Sequence, residues 1–376
     1  VTDAAGTALA AVAEAEDVVV LELVRVRVPL RRAHRAGHGE LAVRDLVLVR
    51  VTLADGAVGW GECSALTHPT YAAEYTAGAY AVLRDEIGPW VLGHRPGPVV
   101  GHPMAASAVV TAHVDALLRR RATPLVERLG TQHGQPAPSV ASTAVVGRHV
   151  STDRMLEVVA EQVAAGAAMV KLKVTPHPVD VANLRAVRST WPDLALAVDA
   201  NGTLDQRSLA FFDDLDLVYV EQPAPADDLV LSAAMAERLR CPVALDESAT
   251  SMAALEAAVA LGAGSVVNVK PARLGGPYAA AAVARQAFDA GCGVFVGGML
   301  ETGVGRAAAL ALAALPICTL PTDLGPSARY FDRDLTDAVV ADDQGRVVVP
   351  RGPGIGVDPD LAVVREVAVE QLQLRR

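Results

Sequence analysis

Residues 169–174 read MVKLKV, and the pattern they set returns four times: LALAVDAN at 194–201, LVYVEQP at 217–223, PVALDES at 242–248 and SVVNVKP at 265–271. Each is a short apolar run that ends in charge. Ser139–Val146, Gly293–Met299 and the weaker Ile317–Leu320 extend the series on both sides. Most intervening segments are Ala-rich, with apolar residues at i, i+3 and i+4, the spacing of an amphipathic helix. Repeated strand–helix units predict a parallel sheet with helices outside it. Eight units over about 185 residues predict a closed barrel rather than an open sheet. An open doubly wound sheet is the alternative, but no Gly-rich phosphate loop follows the first strand.

Outward from this core, the N-terminal part reads differently. Val18–Val28 and Asp45–Leu53 are strand-like, and Ala57–Glu62 follows an Asp-Gly turn at 55–56. Residues 72–93 and 104–129 then carry helical spacing. Strands followed by helices predict a separate α+β domain over 17–138, beside a barrel over 139–330. The tail, 331–376, holds a strand-like run (Arg346–Val349), several Gly and Pro, and a last helix; it is expected to pack back on the N-terminal domain. Residues 1–16 read as a loose, marginally helical extension.

Composition narrows the function. The 376 residues are 52% apolar and only 4% aromatic, so small aliphatic side chains must build the core. The net charge of −10 and the lack of any basic face argue against nucleic acid. Cys63, Cys241, Cys292 and Cys318 form no CxxC pair and no finger spacing, which suits a reduced cytoplasm. The first sixteen residues lack a basic n-region. The apolar stretch at 307–318 is short and broken by Pro316, so no membrane contact is expected.

A barrel of this kind places its chemistry at the C-terminal ends of its strands. There the sequence delivers Lys171 and Lys173, then Asp199 and Asn201, Glu221, Asp246 and Glu247, and finally Asn268 and Lys270. Side chains two apart on a strand share a face, so Lys171 pairs with Lys173, Asp199 with Asn201, and Asn268 with Lys270. Three carboxylates on one rim repel one another unless a cation sits between them. Oxygen donors without His or Cys favour a hard ion such as Mg²⁺, with Mn²⁺ as a substitute. One acid at a strand end is more often a helix cap than a ligand. Five such groups on five consecutive strands, all at one end, point to function.

In order and approximate spacing these residues resemble the enolase superfamily, within its muconate-lactonising subgroup. The likeness runs from about residue 20 to 360, and includes GWGEC at 59–63, PTYAAEY at 69–75 and GGMLETGVGRAAALALA at 297–313. The last string looks like the branch of o-succinylbenzoate synthases and N-acyl (N-succinyl) amino acid racemases. An Asp-x-Asp motif usual in dipeptide epimerases is replaced here by Gly297-Gly298-Met299.

The resemblance implies an α/β architecture: a modified TIM barrel, (β/α)7β, with an N-terminal α+β capping domain completed by the C-terminal tail. It implies Mg²⁺ on Asp199, Glu221 and Asp246, with Lys173 as base on one face of the substrate and Lys270 on the other. Lys171, Asn201, Ser142 and Gly297–Met299 would contact substrate; Glu247 and Asn268 would stand behind the ligands. The base must be neutral to work, and a neighbouring lysine and the metal would lower its pKa. The expected chemistry is proton abstraction next to a carboxylate. Its outcome is o-succinylbenzoate synthase-type dehydration, N-succinylamino acid racemisation, or both; a cycloisomerase or another racemase is the alternative. The expected partners are a small carboxylate and further copies of the chain. One stretch departs from the racemase relatives, whose capping loop is apolar. Here it reads RRAHRAGHG at 31–39, with His34 and His38 where aromatic caps would be expected, so the arginines either bind a second anionic group or are solvated.

Overall fold

The computed structural model describes residues 4–36, 39–95 and 97–376. A four-stranded antiparallel sheet comes first in the chain. Its strands are β1 (Val18–Ala36), β2 (Gly39–Leu53) and β3 (Val58–Cys63), joined at the other edge by β13 (Ala368–Arg375), in the order β13-β1-β2-β3. The first two strands continue well beyond the expected Val28 and Asp45. The 31–36 stretch is therefore strand backbone, with Arg35 paired to Glu40, rather than a free loop.

Helix α1 (Ala4–Ala15) precedes the sheet, and α2 (Thr76–Val82), α3 (Gly88–Val91), α4 (Pro103–Arg120) and α5 (Leu125–His133) follow it. The GWGEC motif explains how α4 lies so close to β3. A Cβ on Gly59 would fall 2.1 Å from the Ala112 carbonyl, and one on Gly61 2.0 Å from that of Ala108. Only glycine on the strand and alanine on the helix allow that approach. From Ala4 to Ala15 the N-terminal extension is helix: Leu9 and Val12 of α1 are buried, and just beyond it His113 of α4 hydrogen-bonds the Asp17 carboxylate at 2.9 Å.

The barrel follows the sequence rhythm. After a short β4 (Ser139–Val140), its parallel strands are β5 (Thr143–Val146), β6 (Met169–Lys173), β7 (Leu196–Asp199), β8 (Val220–Glu221), β9 (Val243–Leu245), β10 (Val266–Val269) and β11 (Gly293–Val296). Helices α6 (Thr152–Ala164), α7 (Pro178–Thr190), α8 (Leu229–Arg238), α9 (Met252–Leu261), α10 (Pro277–Asp289) and α11 (Gly303–Ala313) separate most of them; between β7 and β8 stands only a 3-10 turn, Ser208–Phe211. Residues 320–323 close the ring. Leu320 and Asp323 donate to Val294 and Val296 on one side, and Thr143 donates to Thr322 on the other. The fold is a (β/α)7β barrel beside an α+β cap.

The tail returns to both parts. β12 (Val347–Val348) pairs with β4, α12 (Leu361–Val367) packs near β1, and β13 pairs along β1 from Val20↔Arg375 to Val26↔Ala368. The expected last helix thus ends at Val367. Beyond it AVEQLQLR alternates in period two and extends as a strand.

Candidate active site

The register aligns the chemistry. Lys173 on β6 is the Cα partner of Asp199 on β7, which is the partner of Glu221 on β8. Asp246 follows β9 directly, and Lys270 follows β10. Gln222 fixes the next position: its side-chain oxygen accepts from the backbone N–H of Asp246 and of Ser248, both at 3.1 Å, and its amide donates to the Ser248 hydroxyl. The rim carboxylate is thereby held by its own backbone.

Every rim carboxylate meets a cation. Lys173 donates to Asp199 at 2.5 Å and to Asn201 at 3.1 Å. Lys171, which is 1% exposed, holds Glu221 and also Asp323 at 2.6 Å. Lys270 donates to Asp246 at 2.8 Å and to the Tyr71 hydroxyl at 3.1 Å; Arg273 grips the other Asp246 oxygen at 2.7 Å. Asn268 donates to Glu221 at 2.6 Å, and Asn201 to Glu247 at 3.0 Å.

Charge and burial compete at each group. Burial pulls the Lys173 pKa down, but the charge of Asp199 and the hydrogen bond to it outweigh burial, and the net shift is upward. Lys171 lowers it only weakly, so the expected depression by a neighbouring lysine is not what the protein's own groups produce. Burial also opposes the Lys270 ammonium, and Asp246 and Tyr71 overcome it, again raising the pKa. Burial raises Glu221; Lys171 works against this, while Asp199, Asp246 and Asp323 add to the rise. Asp246 goes the other way: burial is outweighed by Lys270 and Arg273, and its pKa falls.

Among the described residues, no three His, Cys, Asp or Glu side chains are gathered as a ready ligand set. The three rim carboxylates are instead each turned onto an ammonium. Their chemistry still fits a hard divalent cation: the donors are all oxygens, on neighbouring strand ends, and their mutual repulsion is part of what raises Glu221. A further oxygen, Oε2 of Glu247, is buried beside them with no hydrogen-bond partner among the described residues.

A cavity of about 680 Å³ opens over this rim, lined by both β6 lysines, Asp199, Glu221, Asn268 and Lys270. Of the glycine-rich positions, Gly298 lines it. Gly297 instead lies under Asn268, whose amide oxygen a Cβ would meet at 2.1 Å, and Met299 is buried in the core. Ser142 departs from expectation. It precedes β5 at the opposite end from the rim, is 1% exposed and is absent from the cavity lining. Val145 and Val146 line the cavity from this strand, because β5 runs four residues further before it reaches the rim. His38 and the side chain of His34 lie outside the described residues.

Three site residues carried no sequence signal strong enough to name them. Asp323 follows the weakest strand. Tyr71 sits in the PTYAAEY run of the cap, distant in sequence from the barrel it completes. Arg273 lies three residues beyond Lys270, past a proline. An arginine following a rim lysine so closely is a readable hint.

Known proteins resemble this chain along nearly its whole length. Residues 154–363 match the model of the enolase C-terminal domain-like family. The chain is 37% identical to an N-succinylamino acid racemase of Amycolatopsis sp, over 94% of this chain and 98% of that protein. It is 31% identical to the o-succinylbenzoate synthase of Bacillus subtilis, over 92% and 95%. A solved structure of an enolase superfamily member from Listeria innocua superposes with a TM-score of 0.87 at 28% identity, covering 96% of this chain and 99% of that one.

Proposed function

We propose, from the premise that this chain belongs to the enolase superfamily, that it removes the proton next to a substrate carboxylate to give an enolate. The reading it supports is o-succinylbenzoate synthase chemistry (dehydration of 2-succinyl-6-hydroxy-2,4-cyclohexadiene-1-carboxylate, a menaquinone step), N-succinylamino acid racemisation, or both. One observation carries it. Lys173 and Lys270 stand at the two ends of a row of strand ends, with Asp199, Glu221 and Asp246 between them.

Asp199, Glu221 and Asp246 would hold Mg²⁺, or Mn²⁺ in its place. When bound, that ion offsets the negative charge that develops on the substrate carboxylate. The rest falls to side chains. Lys173 Nζ takes the α-proton from its face, with Asn201 aligning the amine through the 3.1 Å bond. Lys270 Nζ, facing Tyr71 and Asp246, delivers a proton from the other side in racemisation. In dehydration it stays cationic and stabilises the enolate, while Lys173 returns its proton to the leaving hydroxyl. Lys171 stays charged between Glu221 and Asp323, so it recognises an anion rather than acting as a base. The cap contributes Leu30 and Ala33 to the cavity wall and places the Tyr71 hydroxyl beside Lys270.

Support for a small acidic substrate comes from the cavity's size and its three lysines. We place the enzyme in the cytoplasm as a homo-oligomer; among the described residues no helix is long and apolar enough to cross a membrane. The test is a kcat/KM comparison of the cyclohexadiene carboxylate with several N-succinylamino acids, before and after chelation. Chelation should abolish turnover and Mg²⁺ restore it. Turnover that survives complete metal removal would overturn the ligand assignment.

A further inference from the structure

The same cavity continues outward from the lysines, and its character changes. The outer wall is built from Arg31 and Arg32 of β1, Arg148 just past β5, Arg154 of α6, and Arg329, with Glu161 as the acid among them. Arg32 is paired with that Glu161 at 2.9 Å. Arg31 is engaged by the Ala328 carbonyl and by Asp332.

Arg148 differs from these in how it is held. Its Nε donates to Asp180 at 2.8 Å, and its two terminal nitrogens have no partner among the described residues. The anchor itself is firm. Asp180 is 4% exposed and also accepts from the backbone N–H of Thr175 at 3.0 Å and its hydroxyl at 2.6 Å. The loop carrying Arg148 is tied to the same helix, α7. The Asn183 amide donates to the His149 carbonyl at 2.7 Å, and Thr152 donates to the Asn183 oxygen at 2.7 Å. A guanidinium fixed through Nε leaves its opposite edge as a fork that matches a carboxylate bidentately, with little side-chain entropy left to lose. Arg148 sits two residues beyond the end of β5, the neighbour of the strand that carries Lys171 and Lys173.

Resting on the enolate reading above, we propose that Arg148 is a specificity-determining residue that clamps a second carboxylate at the far end of the substrate, with Asp180 as the positioning residue behind it. The substrate class is then a carboxylate with an acidic α-carbon and a second terminal carboxylate. That second group sits on an acyl tail or on an acidic side chain.

Two pairs of compounds distinguish these sources. N-succinyl-L-valine and N-butanoyl-L-valine differ only at the tip of the acyl tail; N-acetyl-L-glutamate and N-acetyl-L-norvaline differ only at the tip of the side chain. α-Proton exchange into deuterium oxide gives kcat and KM, and calorimetry with the Mg²⁺-loaded enzyme gives affinity whether or not turnover occurs. The wild type should prefer the doubly charged member of one pair by about tenfold or more, mostly in KM, as a charge-assisted bidentate contact requires. In Arg148→Gln the preference should fall to near one; in Arg148→Lys, which keeps the charge without the fork, it should be intermediate. No preference in the wild type, or a preference that survives Arg148→Gln, overturns the assignment. Absence of exchange with every compound would instead overturn the enolate reading, and the affinities would still decide the role of Arg148.

Discussion

The two lysines at the ends of the rim, proposed as the acid–base pair, are held alike in number but not in kind. Lys173 rests on Asp199 and Asn201, two residues of one neighbouring barrel strand end. Lys270 rests on Asp246 of the barrel and on Tyr71, which comes from the capping domain, with Arg273 sharing the same carboxylate. One face of the site is therefore complete within the barrel, and the other requires both domains to be docked. The barrel alone supplies the hydrogen-bond partners of Lys173, whereas Lys270 takes one of its partners from the cap.

Removal of either amine should have the largest effect. Lys173→Ala should lower turnover by about 10³-fold or more, the scale of a lost general base. In the racemase assay, Lys173→Ala should stop α-proton exchange from one enantiomer and Lys270→Ala from the other. Loss of exchange from the same enantiomer in both variants would break the two-faced assignment. Asp323→Asn asks what keeps Lys171 from competing with Lys173. It leaves a buried ammonium with one carboxylate instead of two, and should cost about 1–3 kcal/mol of stability, read as a lowered Tm. The smallest effect sharpens the comparison most. Asn201→Ala and Tyr71→Phe each remove a 3.1 Å bond to a lysine, worth about 0.5–1.5 kcal/mol; the first also removes the amide's bond to Glu247, the second the hydroxyl's bonds to Asp246 and Arg273. The first should slow exchange on the Lys173 face, the second on the Lys270 face. Equal slowing of both enantiomers by Tyr71→Phe would show that the cap does not act selectively on Lys270.

How far the sequence could be read followed from where each signal resides. MVKLKV, AVDAN, VYVEQP, VALDES and VVNVKP each carry strand and functional group within one short run. Strand order, and with it the lysine–carboxylate row, was therefore legible. Residues that act across the chain were not. Tyr71 reaches Asp246 across 175 positions, and Asp323 reaches Lys171 across 152. Neither partner leaves a mark in local periodicity. Ser142 shows the opposite limit. Its strand was found, but the run Ser139–Val146 breaks at residues 141–142 into β4 and β5, so its rim end was misplaced. The arginines at 31 and 32 read as a loop because their charge masks alternation. Both fall in the irregular stretch of β1 between Pro29 and His34, where the register with β2 shifts and the Arg31 N–H donates to the Tyr330 carbonyl instead.

The edge strand β13 has a consequence for the order of events during synthesis. It pairs with β1, yet the entire barrel is encoded between them, so the cap sheet gains its fourth strand only after every barrel strand has been made. Apart from the closure between Ser142 and Thr322, the barrel's parallel pairings join near neighbours in sequence, whereas this one closes a loop of more than three hundred residues. On the ribosome, the Lys173 half of the site can take shape while β1 still presents an unpaired edge. A nascent chain stalled short of residue 368 would carry a nearly finished barrel beside an exposed, Val-rich edge, the condition that invites strand exchange with another chain.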